Sequence, residues 1–217
     1  MNRENNKGLQ MYYPKDWEKF TKAIKKKKAI EILNRKNEDE KELLKKVNRF
    51  AARYRLAKSF DGVILNRYNE DTVKTYSSII KVFLSFTAFE IFLQIIPKNE
   101  EILLKESFND TELKKISNSI IKLNKDKNIL SSIKEKLPFK PKDLGNKDKL
   151  ELFLSKKENY YTKIFVVAEI IRHKFAHGIL TANLNNSESK STIKICEIIT
   201  ERILFKVMDD QFTKLNY

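Results

Sequence analysis

Apolar residues recur every three or four positions along most of the chain, which is the spacing of one face of an α-helix. The pattern predicts a first helix over about residues 15–33, begun by Pro14, with the lysine run 25–28 on its solvated side. A second helix is predicted over about residues 38–60. Both helices combine an inward apolar stripe with a charged outer side, as expected of helices that pack on one another.

The third predicted helix ends before Pro97 and is apolar nearly all round, which places it at the centre of a helical bundle. Its residues 79–96 are also the strongest candidate for a membrane span. Lys81, Glu90 and Gln94 interrupt that stretch and would be costly in lipid. We therefore interpret it as a buried helix and expect no membrane association.

Residues 98–157 are more polar and contain the helix breaker PFKPKDLGN, with short helical stretches around 112–123 and 129–137. This segment is interpreted as an insertion or a mobile flap on the bundle, with a simple linker as the alternative. It is followed by a helix predicted over about residues 157–177, for which Gly178 can serve as a left-handed cap.

A last helix is predicted over about residues 191–212, after a loop at 181–190. No internal repeat and no alternation of strand and helix patterns is visible, and four Gly and four Pro are too few for a turn-rich β-protein. The expected fold is therefore an all-α, antiparallel helical bundle that forms a single domain over residues 1–217, with 98–157 as a helical insertion or flap.

Positive charge predominates, with 44 Lys and Arg against 29 Asp and Glu and a net charge of +15 at pH 7. Such an excess attracts polyanions, so RNA, DNA, an anionic membrane and an acidic protein are all compatible partners. Lys46, Arg49 and Arg53 form a basic ridge on the second helix. DNA binding through this helix, with Arg55, is a minor alternative because no helix-turn-helix spacing surrounds it.

Cys196 is the only cysteine, which excludes an intramolecular disulfide and a zinc site of several cysteines. The first residues lack the apolar core of a secretory signal, so the cytoplasm is the expected location. Cys196 lies in an apolar helical stretch with no adjacent base, which makes it a poor candidate nucleophile.

The segment EIIRHKFAHGIL, residues 169–180, contains both histidines of the chain, His173 and His177. On an ideal helix, one side of this segment is an ordinary core-facing stripe. The other side continues from apolar Val166 and Ile170 into the two histidines, which implies a second surface that buries it. The flap, another helix or a second copy of the protein can provide that cover.

Arg172 and His177 are five positions apart, which puts them about 140° apart around a helix and about 7.5 Å along it. Within one copy the two side chains therefore point in different directions, which is unfavourable for binding one phosphate. Two copies packed through this helix would bring two Arg–His sets into one cleft. These residue types suit RNA cleavage: a neutral imidazole accepts the 2′-hydroxyl proton, an imidazolium protonates the leaving 5′-oxygen, and a guanidinium holds the phosphate. No metal or other cofactor is required.

The stretch RHKFAH, residues 172–177, has a polar residue directly after the arginine and the ending AHG, and it resembles the R-x4-H motif of the HEPN superfamily. The resemblance implies a dimerising α-helical bundle and a metal-independent endoribonuclease with a composite site at the dimer interface. It also implies products that end in 2′,3′-cyclic phosphate and 5′-hydroxyl. Arg172 and His177 are then the catalytic residues, and His173 is the supporting polar residue.

Members of the superfamily act as toxins and phage-defence effectors, so an antitoxin or another regulatory partner is a further implication of the resemblance. One branch carries a tyrosine, two residues after the motif histidine, as a target of nucleotide modification. Ile179 stands at that position here, so regulation of that kind is not expected.

Three other residues are candidates for supporting roles. Glu90 is a carboxylate in an apolar helix and a candidate partner of Arg172, with a solvent-facing position or a structural lysine as the alternative. Glu169, four positions before His173, can orient its ring or form an ordinary exposed helix pair. Lys174 adds positive charge beside the motif.

Two other interpretations of the motif stay open. The histidines can pack at an interface without chemistry, or the chain can be a non-catalytic module that binds RNA, a nucleotide or an antitoxin through the same basic cleft. Substitution of His177 by Ala distinguishes the enzyme from the binding module: loss of RNA cleavage with retained binding supports the enzyme, whereas absence of cleavage by the wild type under any activation condition supports the module.

Overall fold

The computed structural model describes residues 11–35, 37–124, 130, 144–177 and 186–215. These residues form helices, turns and irregular segments without a β-strand, and helix packs on helix. The predicted all-α fold class is therefore confirmed. In chain order the helices are α1 (Trp17–Ile24), α2 (Ala29–Ile32), α3 (Glu40–Ser59), α4 (Glu70–Ile95), α5 (Glu100–Ser107), α6 (Asp110–Leu123), α7 (Leu144–Ser155), α8 (Phe165–Ala176), α9 (Asn186–Glu197) and α10 (Lys206–Lys214).

The chain divides into two compact units, and segments distant in sequence contribute to each. The first unit comprises Met1–Phe60, Leu84–Ser107 and Ile203–Tyr217. The second comprises Asp61–Phe83 and Phe108–Arg202. Within the segment predicted as an insertion, α5 belongs to the first unit, whereas α6 and α7 belong to the second. The helical stretch predicted around 129–137 lies outside the described residues, apart from position 130.

The predicted first helix is wrong in its middle, because the lysine run at 25–28 is an exposed turn between α1 and α2. The backbone N–H groups of Lys26 and Lys27 both donate to the carbonyl of Ala23, which closes α1 tightly. The N-terminus of α2 is capped by a side chain that is distant in the sequence. Glu40 accepts hydrogen bonds from the N–H groups of Ala29 at 2.7 Å and Ile30 at 3.1 Å.

Aromatic side chains form the core of the first unit. Four phenylalanines, from α1, α3, α4 and α10, contact one another with ring centroids between 5.3 and 6.2 Å apart, namely Phe20, Phe50, Phe92 and Phe212. Trp17 joins the cluster edge-on to Phe212 at 5.1 Å. Large aromatic rings bury much apolar area each, so this cluster holds together helices that are far apart in sequence.

The core of the second unit is mainly aliphatic. Helix α6 is capped by Asn109, whose side chain accepts a hydrogen bond from the N–H of Glu112 at 2.9 Å. Its inward face packs against α9. Helix α9 begins at Asn186, so the part of the predicted loop at 186–190 is helical. Ser189 and Ser191 are buried there, and such small side chains allow close approach of neighbouring backbone.

The last predicted helix is divided in the structure. Helix α9 continues into a π-helical segment, Ile198–Phe205, before α10 begins. The segment retains a helical path and a buried apolar side, which includes Ile199 and Ile203. The sequence periodicity is correct here, but it does not reveal the change in hydrogen-bond pattern.

Among the described residues, α4 is the one helix long and apolar enough to cross a membrane, with mean hydropathy 1.6 over 18 residues. Of that window, 44% is buried. Ile79, Val82, Phe89 and Phe92 are fully buried, as the interpretation as a core helix predicts. Length and composition are weak evidence for a membrane span because core helices pass the same test.

Candidate functional site

The motif helix α8 begins eight positions later than the predicted start, at Phe165 rather than about residue 157. Lys156 and Asn159 have left-handed backbone angles, with φ of 54° and 55°, which an α-helix does not accommodate. A short 3₁₀-helix, Tyr160–Lys163, then leads into α8. The helix ends at Ala176, close to the predicted end, whereas Gly178 lies outside the described residues.

Both predicted apolar sides of α8 are buried. Val167 and Ile171 on the first side are fully buried, and Val166 and Ile170 on the second are 3% and 2% exposed. The predicted second burying surface is therefore confirmed, and the chain itself supplies the cover. Helix α7, which lies in the segment predicted as a flap, packs against α8.

A hydrogen bond between side chains joins α7 and α8. The Nδ2 group of Asn146 donates to Oε1 of Glu169 at 2.7 Å, and both residues are half-buried. Glu169 therefore has a partner on another helix, which differs from the ordinary exposed pair considered from the sequence. Helix α7 therefore contacts α8 at Glu169, which lies one helical turn before His173.

The two histidines are in contact at the end of α8. Their ring centroids are 4.5 Å apart with an interplanar angle of 62°, so one imidazole meets the other edge to face. The backbone N–H of His177 also donates to the carbonyl of His173 at 3.2 Å. The predicted common face is confirmed. His177 is exposed, and His173 is half-buried.

His177 occupies the C-cap of α8, with φ −91° and ψ 9°. These angles lie in the sparsely populated bridge region, where many active-site residues are found. The His177 imidazole is therefore accessible to a bound molecule at the exposed end of α8.

The cations next to the histidines have different environments. Arg172 is half-buried, and Lys174 is only 3% exposed, so the Lys174 side chain adds little charge to the surface that exposes His177. Phe175 contacts Phe83 of α4 with centroids 5.9 Å apart. This ring contact fixes the side of the helix that faces the interior.

Glu90 is half-buried on α4 and belongs to the first unit, whereas Arg172 belongs to the second. The pairing of Glu90 with Arg172 stays a prediction.

Cys196 is buried, and burial raises the pKa of its thiol to about 12, so a thiolate nucleophile is not available at neutral pH. No three His, Cys, Asp or Glu side chains of the described residues cluster as they would around a metal ion.

A second candidate feature, a cleft of about 720 Å³ in the first unit, was missed from the sequence. Its lining includes Trp17, Tyr54, Lys58 and Asp209. The sequence signal that could have indicated this cleft is Asp209, an acidic residue next to the fully buried Met208 of α10. That signal marks Asp209 as unusual, but it does not identify its neighbours.

The comparisons with known proteins provide no relative for the chain. No family model, no curated protein and no solved structure matches it. The features of the chain that bear on its function are therefore the R-x4-H resemblance and the geometry at the end of α8.

Proposed function

We propose that the chain is a metal-independent endoribonuclease that cleaves RNA at a site composed by two copies, and that it acts as a toxin or phage-defence effector. The observation that carries the proposal is the contact between His173 and His177, 4.5 Å between centroids, at the exposed C-terminal end of α8. Arg172 immediately precedes this pair. The resemblance to the HEPN motif adds the reaction class.

In this mechanism, a neutral His177 accepts the proton of an RNA 2′-hydroxyl, and the 2′-oxygen attacks the adjacent phosphorus. The bond from phosphorus to the 5′-oxygen breaks, and an imidazolium, His177 of the second copy, protonates that oxygen. One proton is taken up and one is released, which leaves 2′,3′-cyclic phosphate and 5′-hydroxyl ends. Arg172 binds the phosphate and stabilises the charge that develops on it.

Helix geometry supports the composite arrangement. Helix α8 is continuous through Ala176, so Arg172 and His177 stay about 140° apart around it. Arg172 is half-buried while His177 is exposed. In the proposed site, Arg172 of one copy binds the phosphate that lies at His177 of the other. His173 contacts the His177 ring and limits its orientation.

The direct test is cleavage of single-stranded RNA by the wild-type protein and by the His177→Ala and Arg172→Lys variants. Removal of the acid–base group should reduce cleavage by about 100-fold or more, with RNA binding retained. Arg172→Lys should also be impaired because lysine lacks the planar fork that holds a phosphate bidentately. Lys194→Ala, an exposed change on α9, is the matched control.

Excess EDTA should leave cleavage unchanged, and the products should carry cyclic phosphate. Cleavage abolished by EDTA and restored by magnesium would contradict the mechanism. Binding without cleavage by the wild-type protein would instead favour the alternative of a non-catalytic module for RNA, nucleotide or an antitoxin.

A further inference from the structure

The outer side of α3 carries a regular row of positive charge. Lys41, Lys45, Arg49 and Arg53 recur every four positions, and all four are exposed. Each step of four residues advances about 6 Å along a helix and about 40° around it, so the row is gently inclined and about 18 Å long. These four residues are called the α3 ridge below.

Among the described residues, one of these four cations forms an ion pair. Lys45 pairs with Glu42 at 2.5 Å, but both side chains are more than half exposed, and such surface pairs contribute little. Lys41, Arg49 and Arg53 form no ion pair with any residue that the structure describes.

The other cations of α3 have partners within the first unit. Lys46 pairs with Glu38 at 3.0 Å. The Arg55 guanidinium donates to the Tyr13 hydroxyl at 2.9 Å. Lys58 lies over the ring of Phe205, 4.1 Å from its centroid. These three contacts explain those cations structurally, whereas the described part of the fold gives the α3 ridge no comparable role.

We propose that the α3 ridge binds the phosphate backbone of single-stranded RNA. A row of cations at steps of about 6 Å complements a row of phosphates, because each cation can meet one negative charge along the strand. Arg49 and Arg53 each offer a planar fork for two phosphate oxygens, and Lys41 and Lys45 act as point charges. Backbone contacts of this kind hold RNA without reading its sequence.

The choice of RNA rather than DNA rests on the proposed function, but binding at the ridge does not require cleavage. The ridge belongs to the first unit, whereas His177 belongs to the second, so each can be altered separately. Binding is best measured in a His177→Ala background, where the RNA stays intact.

The test compares two variants with equal loss of charge. One changes Lys41, Lys45, Arg49 and Arg53 to glutamine, and the control changes the four exposed lysines at 25–28 to glutamine. Affinity for a single-stranded RNA oligonucleotide is measured over a range of salt concentrations. The slope of log affinity against log salt should decrease by about 0.7 for each phosphate that the protein no longer neutralises, up to about 2.8 for the ridge variant.

The control should retain most of the slope of the His177→Ala parent, and circular dichroism should show that both variants are folded. Equal loss of slope in the two variants would overturn the proposal, because net charge alone would then explain the binding. Tighter binding to DNA of the same sequence, or binding to phosphatidylserine vesicles without binding to RNA, would also overturn it. Failure of cleavage by the wild-type protein would contradict only the ribonuclease proposal.

Discussion

The Tyr54 hydroxyl donates a 2.6 Å hydrogen bond to Oδ1 of Asp209, which is 155 positions later in the chain. The backbone N–H of Lys15 donates to the same oxygen at 3.2 Å. Burial nevertheless raises the pKa of Asp209 above its ordinary value of 3.8, although both hydrogen bonds favour the charged form. The first unit therefore contains a carboxylate whose ionisation lowers stability.

Replacement of Asp209 by asparagine should remove the contribution of this carboxyl group to the pH dependence of the unfolding free energy. Folded wild-type protein keeps a proton on Asp209 at pH values where the unfolded chain has lost it, so its unfolding free energy falls as pH rises above 3.8. The stability of Asp209→Asn relative to wild type should therefore increase with pH, by at most about 1.4 kcal/mol per pH unit. Urea denaturation at a series of pH values measures this difference.

Asp210→Asn is the matched control for this effect. Asp210 forms a 2.8 Å ion pair with Lys206 and is adjacent to Asp209, so the same charge is removed from the neighbouring position. A relative stability of Asp209→Asn that stays constant from pH 4 to 7, or falls with rising pH, would contradict the assignment of a buried, destabilising carboxylate.

The hydrogen bond from Asn146 to Glu169 should couple α7 to the motif helix. Asn146→Ala and Glu169→Ala should each destabilise the chain by about 1 kcal/mol, because each leaves a half-buried polar group without its partner. The double variant should be little worse than either single one, and urea denaturation of all four proteins gives the coupling energy. Strictly additive losses would show that the two side chains do not interact.

Cys196 should be unreactive in the native protein. It is 1% exposed, and burial raises its thiol pKa to about 12, so the reactive thiolate is scarce at pH 7. A colourimetric disulfide reagent should label it at the rate at which the second unit opens, and immediately in denaturant. Native labelling as fast as labelling of the unfolded chain would be incompatible with this burial.

Local sequence patterns predicted those features that depend on nearby residues. The second helix was expected at about 38–60 and is Glu40–Ser59, because apolar spacing and the Asp39 cap act within a few positions. The contact between His173 and His177 follows from the same rule, since residues four apart share a helix face.

Features that depend on distant residues could not be predicted in this way. The break at lysines 25–28 interrupts residues with good helix propensity, and the new helix start is capped by Glu40, eleven positions after Ala29. Tyr54 and Asp209 are 155 positions apart, and no local sequence pattern indicates that they form a hydrogen bond. Tertiary packing decides such contacts, and only the fold reveals them.

The composite site makes a quantitative prediction for mixtures of wild-type protein and His177→Ala. If one cleft needs His177 from both copies, cleavage should fall with the square of the wild-type fraction, to about one quarter in an equal mixture of exchanging dimers. The subunits are mixed unfolded and refolded together, and initial cleavage rates are compared at constant total protein. An equal mixture with Lys194→Ala is the control and should keep full activity. A linear decrease to about one half in the His177→Ala mixture would contradict the mechanism, because each cleavage site would then need His177 from only one copy.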